Sequence, residues 1–570
     1  MEKKASFSKR VALALKRHGV TEIFGQSNPP TITLECMALG IRQVGYRQEN
    51  AGGYMAQGFA MMKGQVGVVT GQNGPAATLL VPALAECLKA SHPVIAIVQE
   101  LGANSMDRNA FQEIDHIKLF DGVSKWVKRI PSQERVEDYV DMAFVAATSG
   151  RPGPAVLLCP ADFMFDPTEY PYQEWRNVSY GEYPLDRVAA NPEQVTKAAN
   201  MLAQAQRPLI YAGGGVMSSQ ATAELRALQE ECGLPVATTT MGKGSVDEEH
   251  PLTLGPIGYY MGTRGATKFL KPMVQDADVI LLVGNRTNQN GTDAWSLLPW
   301  GAKYIHIDID PMEIGRNYES LRVMGDAKLA LGQLKQALLQ EDLSVRQQAR
   351  AAVEAQIAQG KADHQAEAAS ALTSAATPLR IERFLAELEH QLADNHVIVA
   401  DASISSVWLA NYIKAVQERR FLFPRGLAGL GWGMPMAMGA KVARPDLPVF
   451  CLAGDGGFGH VWSELETCKR EKINVVTAVI NNEILAYQKH AERALLQGAY
   501  TNACDLTDTN LAAVAEAVGV KGIRVETPEQ IAPALQEAFA HDGPVLLDLL
   551  IEPDCIPPIP LMGGLDTLAI

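Results

Sequence analysis

Two polar residues, Asp455 and Asn482, follow apolar segments at positions where their oxygen atoms could hold a metal ion. Asp455 lies in a Gly-Asp-Gly-Gly sequence directly after the apolar residues 449–453, and Asn482 ends the segment 475–482. Glycines let a backbone approach a phosphate closely, and Mg²⁺ prefers oxygen ligands from a few protein groups completed by phosphate oxygens. We therefore predict a site for Mg²⁺ and a diphosphate, with these candidate contacts: Gly454, Asp455, Gly456, Gly457 and Asn482.

Short apolar strands alternate with helical patterns along the chain, as parallel sheets with crossover helices require. The carboxyl ends of parallel strands meet at one sheet edge, so Asp455 and Asn482 are expected to lie on adjacent loops. Residues 460–470 are predicted to form the helix that follows the glycine turn. Further strands are predicted at residues 66–71, 93–99, 208–215, 279–285 and 396–401.

The strands fall into three blocks that two changes in composition separate. Residues 165–190 are rich in Pro, Tyr and Glu, and residues 335–378 are rich in Ala and Gln without a strand pattern. We therefore predict an α/β protein of three doubly wound parallel-sheet domains. The predicted boundaries are 1–185 for the first domain, 190–340 for the central domain, 341–378 for a helical linker and 379–570 for the last domain.

Composition and charge narrow the class of protein. A chain of 570 residues exceeds the size of one hydrophobic core, so several domains are expected. With 47% hydrophobic residues, no apolar run of eighteen and no basic-then-apolar leader, a cytoplasmic location without a membrane span is expected. The net charge of −14 without a basic stripe argues against nucleic acid as a partner. The eight scattered cysteines indicate neither a disulfide framework nor a zinc site.

Gly-Asp-Gly followed by Asn-Asn at the end of the next strand resembles the fingerprint of the thiamine diphosphate (ThDP) enzymes. The resemblance implies that Asp455 and Asn482 ligate Mg²⁺ together with the backbone carbonyl of Ile484. It also implies that Glu49, at an expected strand end before a small-residue helix, hydrogen-bonds the aminopyrimidine ring of the cofactor and promotes its imino tautomer. A helix-start glutamate that the helix dipole stabilises is the alternative.

Two further segments fit this family. Leu430 falls where a bulky apolar residue props the cofactor in its bent conformation, and an ordinary core leucine is the alternative reading. Ser403 and Ser405 lie in residues 401–408, which occupy the place of the family's diphosphate-binding turn. Serines that only cap a helix would give the same pattern.

The overall pattern resembles the acetohydroxyacid (acetolactate) synthase-like branch of the family. Phe111 and Gln112 correspond to side chains that face the reacting centre in that branch, so both are candidate catalytic residues, and a loop aromatic that is simply packed is the alternative for Phe111. The central domain is similar to one that holds FAD in a structural role, and a degenerate domain without a ligand is the alternative. Its candidate contacts are a glycine of the phosphate turn, an arginine for the pyrophosphate and an acid for the ribose: Gly214, Arg286 and Asp308.

The resemblance also implies an assembly. In this family the glutamate of one subunit faces the metal site of another subunit, so that each active site is shared. At least a homodimer, and more specifically a homotetramer, is therefore expected.

Departures from the branch pattern concern the substrate. Prolines at 29 and 30 have no N–H to stabilise an oxyanion, which leaves three polar residues as substrate contacts or turn formers: Gln26, Ser27 and Asn28. Gln72 and Asn73 replace a glycine-rich phrase and are expected to project amides into the pocket. The segment after Asn482 lacks the residues by which the branch binds a second 2-oxo acid. It carries Tyr487, Lys489 and His490 instead. These residues could place a cation near an anionic substrate, or they could form a solvated helix face.

The favoured function is a ThDP- and Mg²⁺-dependent carbon–carbon lyase or carboligase that acts on a 2-oxo acid or related ketone through an enamine, with candidate catalytic residues Glu49, Gln112, Phe111, Gln26 and Asn28. A 2-oxo acid decarboxylase or diketone hydrolase without carboligation is the alternative. A flavin or nicotinamide oxidoreductase is more remote, because no block opens with the dinucleotide fingerprint. A non-catalytic nucleotide-binding regulator would not need Glu49.

Overall fold

The computed structural model describes residues 3–567 except 174 and 417, and it contains three sheets of six parallel strands. The first sheet lies in the first domain. Its strands, in spatial order, are Arg42–Val44, Glu22–Phe24, Gly67–Gly71, Val94–Glu100, Ala155–Pro160 and Trp126–Arg129. A short antiparallel pair, Lys4–Ala5 with Tyr170–Pro171, lies apart from it.

The central and last domains repeat the architecture. The central sheet consists of Thr253–Pro256, Val236–Thr238, Pro208–Ala212, Val279–Val283, Lys303–Asp308 and Ser320–Met324. The last sheet consists of Arg420–Leu422, Val397–Ala400, Val449–Gly454, Val476–Asn481, Val545–Leu550 and Lys521–Val525. The predicted strands are therefore present, although the run at 208–215 stops at Ala212, where the glycines begin.

The inner strands of the sheets bury both of their faces, which explains the continuous apolar runs in the sequence. Along Val94–Glu100, Ile95 and Ile97 belong to one apolar cluster, whereas Ala96 and Val98 belong to another cluster on the opposite face. Side chains alternate between the faces of a strand, so both faces of the sheet are covered. The prediction of three doubly wound parallel-sheet domains is confirmed.

Helices cover these faces. Those of the first domain are Phe7–Arg17, Pro30–Ala38, Glu49–Lys63, Pro75–Ala90, His116–Asp121, Val136–Thr148 and Ala161–Met164. Those of the central part are Pro192–Gln204, Gly214–Ser218, Thr222–Cys232, Lys271–Gln275, Ala327–Leu338 and Ser344–Leu372. Those of the last domain are Ile381–Gln391, Ile404–Tyr412, Gly433–Ala443, Asp455–Phe458, Glu464–Glu471, Ala486–Leu495, Leu511–Ala517 and Pro528–Ala540. Across the described residues, none of the helices is long and apolar enough to cross a membrane.

The first and last domains pack together through the helices Glu49–Lys63 and Gly433–Ala443. A Cβ atom at Gly58 would lie 2.2 Å from the carbonyl oxygen of Met436, and one at Gly439 would lie 1.9 Å from that of Met55. Both positions therefore require glycine, because the two backbones are in contact. This contact brings the beginning of the helix at Glu49 against the last domain.

The helix predicted at 460–470 is wrong in its first part. The chain forms the short helix Asp455–Phe458, passes through turns at 459–463 and begins a second helix at Glu464. Glycine costs a helix about 1 kcal/mol relative to alanine, and three glycines lie at 456, 457 and 459. A Cβ atom at Gly457 would lie 2.4 Å from Oδ2 of Asp401, so the turn is shaped by what it packs against.

Candidate active site

A cleft lies at the carboxyl ends of the strands Val449–Gly454 and Val476–Asn481, which are neighbours in the last sheet. Oδ1 of Asp455 accepts the N–H of Gly456 at 2.7 Å, and Oδ2 accepts those of Asn482 at 3.1 Å and Glu483 at 2.8 Å. Burial raises the pKa of the Asp455 carboxyl to about 6, although these hydrogen bonds act to lower it. The structure therefore brings Asp455 and Asn482 together at one sheet edge.

The turn after Asn482 leaves a backbone oxygen available to the cleft. Glu483 has a φ of 59°, and Leu485 and Leu506 tie the turn to a neighbouring segment through N–H donation to the carbonyls of Cys504 and Glu483, at 2.8 and 2.7 Å. The carbonyl of Ile484 accepts no hydrogen bond from the described residues. It lies in the lining of the cleft and could serve as a metal ligand.

The residues at this edge suit Mg²⁺. Within the described parts of the chain, no group of three or more His, Cys, Asp or Glu side chains could hold a metal ion. A cation at this site would instead be held by the oxygen atoms of one carboxylate, one amide and one backbone carbonyl. Mg²⁺ is commonly bound by a few protein groups, and phosphate oxygens and water complete its octahedral coordination.

The neighbouring serine turn suits a diphosphate. The Oγ atom of Ser405 is buried, lines the cleft and has no partner among the described residues. Ser403 is the N-cap of the helix Ile404–Tyr412 with a φ of 70°, but its side chain makes no capping hydrogen bond. A Cβ atom at Gly454 would meet only this Ser405 Oγ, at 4.0 Å, so space remains beside it. An oxygen-rich anion would satisfy the orphaned hydroxyl and the backbone donors.

Asp401 is a functional candidate that the sequence did not reveal. Its buried carboxylate accepts the N–H groups of Ala402 at 2.7 Å, Gly431 at 3.3 Å, Trp432 at 3.0 Å and Gly433 at 3.2 Å. These bonds join the serine turn to the segment that carries Leu430, which lines the cleft with 42% of its surface exposed. The only sequence signal was an aspartate at a strand end.

Glu49 begins its helix as predicted, next to a second carboxylate that the sequence did not single out. Glu464 of the last domain is fully buried and accepts the N–H groups of Arg47 and Gln48, each at 3.0 Å. It also accepts the hydroxyl of Thr467 at 2.7 Å. Glu464 thus fixes the backbone directly before Glu49.

Among the described residues, none from the first domain lines the cleft of the last domain in a single chain. Glu49 therefore lies outside that cleft within one chain, although its helix packs on the last domain.

The first domain places a row of amides at the carboxyl edge of its sheet. Nδ2 of Asn28 donates to Oε1 of Gln72 at 3.2 Å, and Nε2 of Gln72 donates to Oε1 of Gln112 at 3.0 Å. Gln26 instead donates to the carbonyl of Arg47 at 3.0 Å, on the segment before Glu49. The structure therefore brings Asn28, Gln72 and Gln112 together and turns Gln26 towards the backbone.

The loop that carries Gln112 is fixed closely. Gln112 has a φ of 62°, and a Cβ atom at Gly74 would lie 2.7 Å from its Cβ. Asn73 donates to the Gln112 carbonyl at 3.4 Å. The neighbouring Phe111 is 85% exposed, so a single chain provides no pocket for its ring.

A second cleft lies in the central domain. Gly214, Arg286 and Asp308 all line it, together with Arg151 of the first domain. Burial raises the pKa of Asp308 to about 6, and no carboxylate of the described residues pairs with Arg286 within 4.0 Å. An unpaired guanidinium and a buried acid fit a pyrophosphate and a ribose hydroxyl. The glycines also have a packing role, since a Cβ at residue 213 would lie 2.3 Å from the Gly284 carbonyl oxygen.

The cation expected after Asn482 is engaged elsewhere. Nζ of Lys489 lies 2.6 Å from Oδ1 of Asp505 and 4.2 Å from the centre of the Tyr500 ring. His490 is fully buried, and burial lowers its pKa to about 4. Tyr487 lines the cleft, but Lys489 and His490 do not. Of the two readings that the sequence left open, a cleft cation does not apply to Lys489 or His490, and the buried His490 does not fit a solvated helix face either.

Three family models of thiamine pyrophosphate (TPP) enzymes match successive parts of the chain; thiamine pyrophosphate is a synonym of thiamine diphosphate. The N-terminal TPP binding domain matches residues 6–119, and the central domain matches residues 195–334. The C-terminal TPP binding domain matches residues 401–549, which include the cleft with Asp455 and Asn482.

Curated proteins that resemble the chain over most of its length agree. It is 34% identical to a probable acetolactate synthase large subunit of Methanocaldococcus jannaschii, over 92% of this chain and 88% of that protein. It is 29% identical to the acetolactate synthase isozyme 2 large subunit of Escherichia coli, over 95% of each. A sulfoacetaldehyde acetyltransferase of Castellaniella defragrans is also 29% identical, over 92% of this chain and 88% of that protein. The chain therefore belongs to the thiamine diphosphate-dependent enzymes, in their acetolactate synthase-like branch.

Proposed function

We propose that the protein is a ThDP- and Mg²⁺-dependent carboligase or lyase that acts on a 2-oxo acid or a related ketone. The observation that carries the proposal is the contact of Asp455 with the Asn482 turn, beside the unpartnered hydroxyl of Ser405. The names of the relatives, acetolactate synthase and an acetyltransferase, support group transfer to a carbonyl acceptor.

Bound ThDP would supply a carbon nucleophile and a store for the electron pair that remains when CO₂ or an acyl fragment leaves. Asp455, Asn482 and the Ile484 carbonyl would hold Mg²⁺, and Ser403, Ser405 and the amides at 454–457 would bind the diphosphate. Leu430 would support the cofactor as an apolar prop. Glu49 would exchange a proton with the pyrimidine ring, and the amides of Gln112 and Asn28 would orient the substrate.

The site requires a second chain in this proposal. Glu49 does not line the cleft of its own chain, so the Glu49 of a partner subunit would complete it. We therefore propose at least a homodimer, more specifically a homotetramer, with the domain boundaries expected from the sequence. The cytoplasmic location also stays a prediction.

A 2-oxo acid decarboxylase or diketone hydrolase is the second candidate. Tyr487 supports it, because its ring is 38% exposed in the cleft and reduces the space for a second substrate. In that case the fragment that remains after cleavage would take up a proton instead of adding to a carbonyl compound.

We further propose that the central cleft holds a dinucleotide such as FAD. Arg286 supports this because none of the described carboxylates forms an ion pair with it, and Asp308 supports it because its carboxyl group is buried in the lining of the cleft. The absorption spectrum of the purified protein between about 350 and 500 nm, where flavins absorb, tests this proposal.

The test of the main proposal is a product analysis. Purified protein is incubated with ThDP, Mg²⁺ and pyruvate, CO₂ is measured and the products are identified by mass spectrometry. Acetolactate supports carboligation, and acetaldehyde as the sole product supports the decarboxylase. If no 2-oxo acid or diketone in a panel is consumed, the proposal is contradicted.

A further inference from the structure

Among the described residues that line the cleft of the last domain, Arg425 is the one cation and Asp455 the one acid. Asp455 faces the proposed metal position. Arg425 follows the strand Arg420–Leu422 and lies in the segment that carries Leu430, and it also lines the central cleft. Its charge is therefore placed where the two clefts approach each other.

The guanidinium of Arg425 is fixed in place but carries no counter-charge. Nη2 donates to Oγ of Ser406, and Cζ lies 5.5 Å from the ring centres of both Tyr259 and Tyr260. Its Nε is buried without a partner in the described structure, and no described carboxylate lies within 4.0 Å.

The nearby carboxylate of Glu86 is committed to other groups. Its oxygen atoms accept the N–H groups of Gly426 at 2.9 Å, Leu427 at 2.5 Å and Ala428 at 2.8 Å. Glu86 influences Arg425 through space only. The segment after Arg425 is thus held firmly, while the guanidinium hydrogen-bonds hydroxyl groups and has no ion-pair partner among the described carboxylates.

A partly buried cation without a counter-ion is unfavourable unless an anion joins it. The aromatic faces of Tyr259 and Tyr260 lower the cost through cation–π attraction, and they also exclude water, which strengthens any charge pair formed there. The planar fork of arginine matches a carboxylate with two parallel hydrogen bonds.

We infer that Arg425 binds the acid group of the substrate, so that the cleft selects a small monoanionic acid over its neutral analogues. The inference rests on the proposed function, in which Leu430 supports the cofactor in the cleft that Arg425 also lines. Serine hydroxyls, glycine amides and the metal ligands already serve the diphosphate of the cofactor. Arg425 donates one hydrogen bond to Ser406 of the serine turn, and its guanidinium also lies beside Tyr259, Tyr260 and Tyr487, which belong to neither the serine turn nor the glycine turn. It supplies the cation that Lys489 and His490 do not.

The test uses protein loaded with ThDP and Mg²⁺ and two unreactive probes, the oxamate anion and its neutral ethyl ester. Dissociation constants are measured by calorimetry for the wild type, Arg425→Met, Arg425→Lys and the control Arg444→Met, whose residue pairs with Asp446 on the surface. We expect the wild type and the control to bind oxamate at least about tenfold more tightly than the ester. Arg425→Met should lose this preference, and Arg425→Lys should keep part of it.

Three results would overturn the inference. The first is an unchanged affinity of Arg425→Met for oxamate, and the second is no preference for the anion in the wild type. The third is a loss of ThDP affinity in Arg425→Met, which would assign the guanidinium to the cofactor's phosphate. Should Arg425→Met fail to fold, the wild type and Arg425→Lys still decide through their acid-to-ester ratios.

The binding constants separate this inference from the proposed function. Oxamate binding that depends on Arg425, in a protein that consumes no 2-oxo acid, would contradict the function and keep the inference. Consumption of pyruvate with equal efficiency in the wild type and Arg425→Met would keep the function and contradict the inference.

Discussion

At the scale of single residues, the sequence located Asp455, Asn482 and Ser405 because each lies at a strand end that the local pattern reveals. It did not locate Glu464 or Arg425. Glu464 acts on Arg47, 417 positions away in the chain, so no local pattern could connect the two. The sequence left the role of Lys489 open, because its partner Asp505 lies 16 positions further along the chain.

Glu49 provides the first prediction at this scale. Glu49→Gln should leave the ThDP affinity within about threefold, because the diphosphate and metal contacts lie on the last domain. It should slow deuterium exchange at the reactive carbon of bound ThDP by about a hundredfold or more, since the amide cannot exchange the proton. The exchange is followed by NMR after acid quench. The control is Glu35→Gln, because Glu35 is a half-buried glutamate on another helix of the first domain, Pro30–Ala38. Equal exchange rates in the two variants would rule out the role proposed for Glu49.

At the scale of elements, strands and domain class followed from the sequence, whereas the break between Asp455–Phe458 and Glu464–Glu471 did not. Apolar periodicity reports which residues are buried, but the break depends on long-range contacts: Gly457 packs on Asp401, and Gly431 of the Leu430 segment packs on His460 and Val461. The second helix then carries Glu464 to the loop before Glu49.

Glu464→Gln tests this helix as a positioning element. An NH₂ group then replaces either Oε1, which accepts both N–H groups, or Oε2, which accepts the Thr467 hydroxyl and lies 3.1 Å from the Arg47 nitrogen. Either replacement removes at least one acceptor from this buried network, at a cost of about 1–3 kcal/mol. We expect a slower cofactor proton exchange with nearly unchanged ThDP affinity. Glu466→Gln on the same helix, where Glu466 pairs with the surface residue Arg470, is the matched control. Equal exchange rates in both variants would show that Glu464 does not position Glu49.

At the scale of the whole molecule, a single chain separates Glu49 from the cleft, and this predicts complementation between two inactive variants. Glu49→Gln and Asp455→Ala are each expected to be inactive. When the two are co-expressed with different tags and the mixed dimers are purified, one of two sites should be intact, which gives about half of the wild-type activity per dimer. Mixed dimers without activity would contradict a shared site.

Acid stability also belongs to this scale. Burial lowers the pKa values of four histidines from 6.5 to about 4: His92, His306, His396 and His490. Between pH 6.5 and 4 the unfolded chain binds protons that the folded protein does not bind. The free energy of unfolding therefore falls as the pH falls. At pH 5 it is lower than at pH 7 by about 2 kcal/mol per histidine.

Urea unfolding at pH 7 and pH 5 measures this loss. His490→Leu should lose part of the pH dependence, whereas the exposed His541→Leu should retain all of it. A urea midpoint that is the same at both pH values in the wild type would contradict the assignment of these histidines as neutral.

The measurement that tests the central claim most directly is the affinity of the protein for ThDP with Mg²⁺ and after its removal by a chelator. If the Asp455–Asn482 edge holds a metal-bound diphosphate, the wild type should bind ThDP at least about tenfold more tightly with Mg²⁺, and Asp455→Ala should lose that difference. An affinity of the wild type that does not depend on Mg²⁺ would contradict the site.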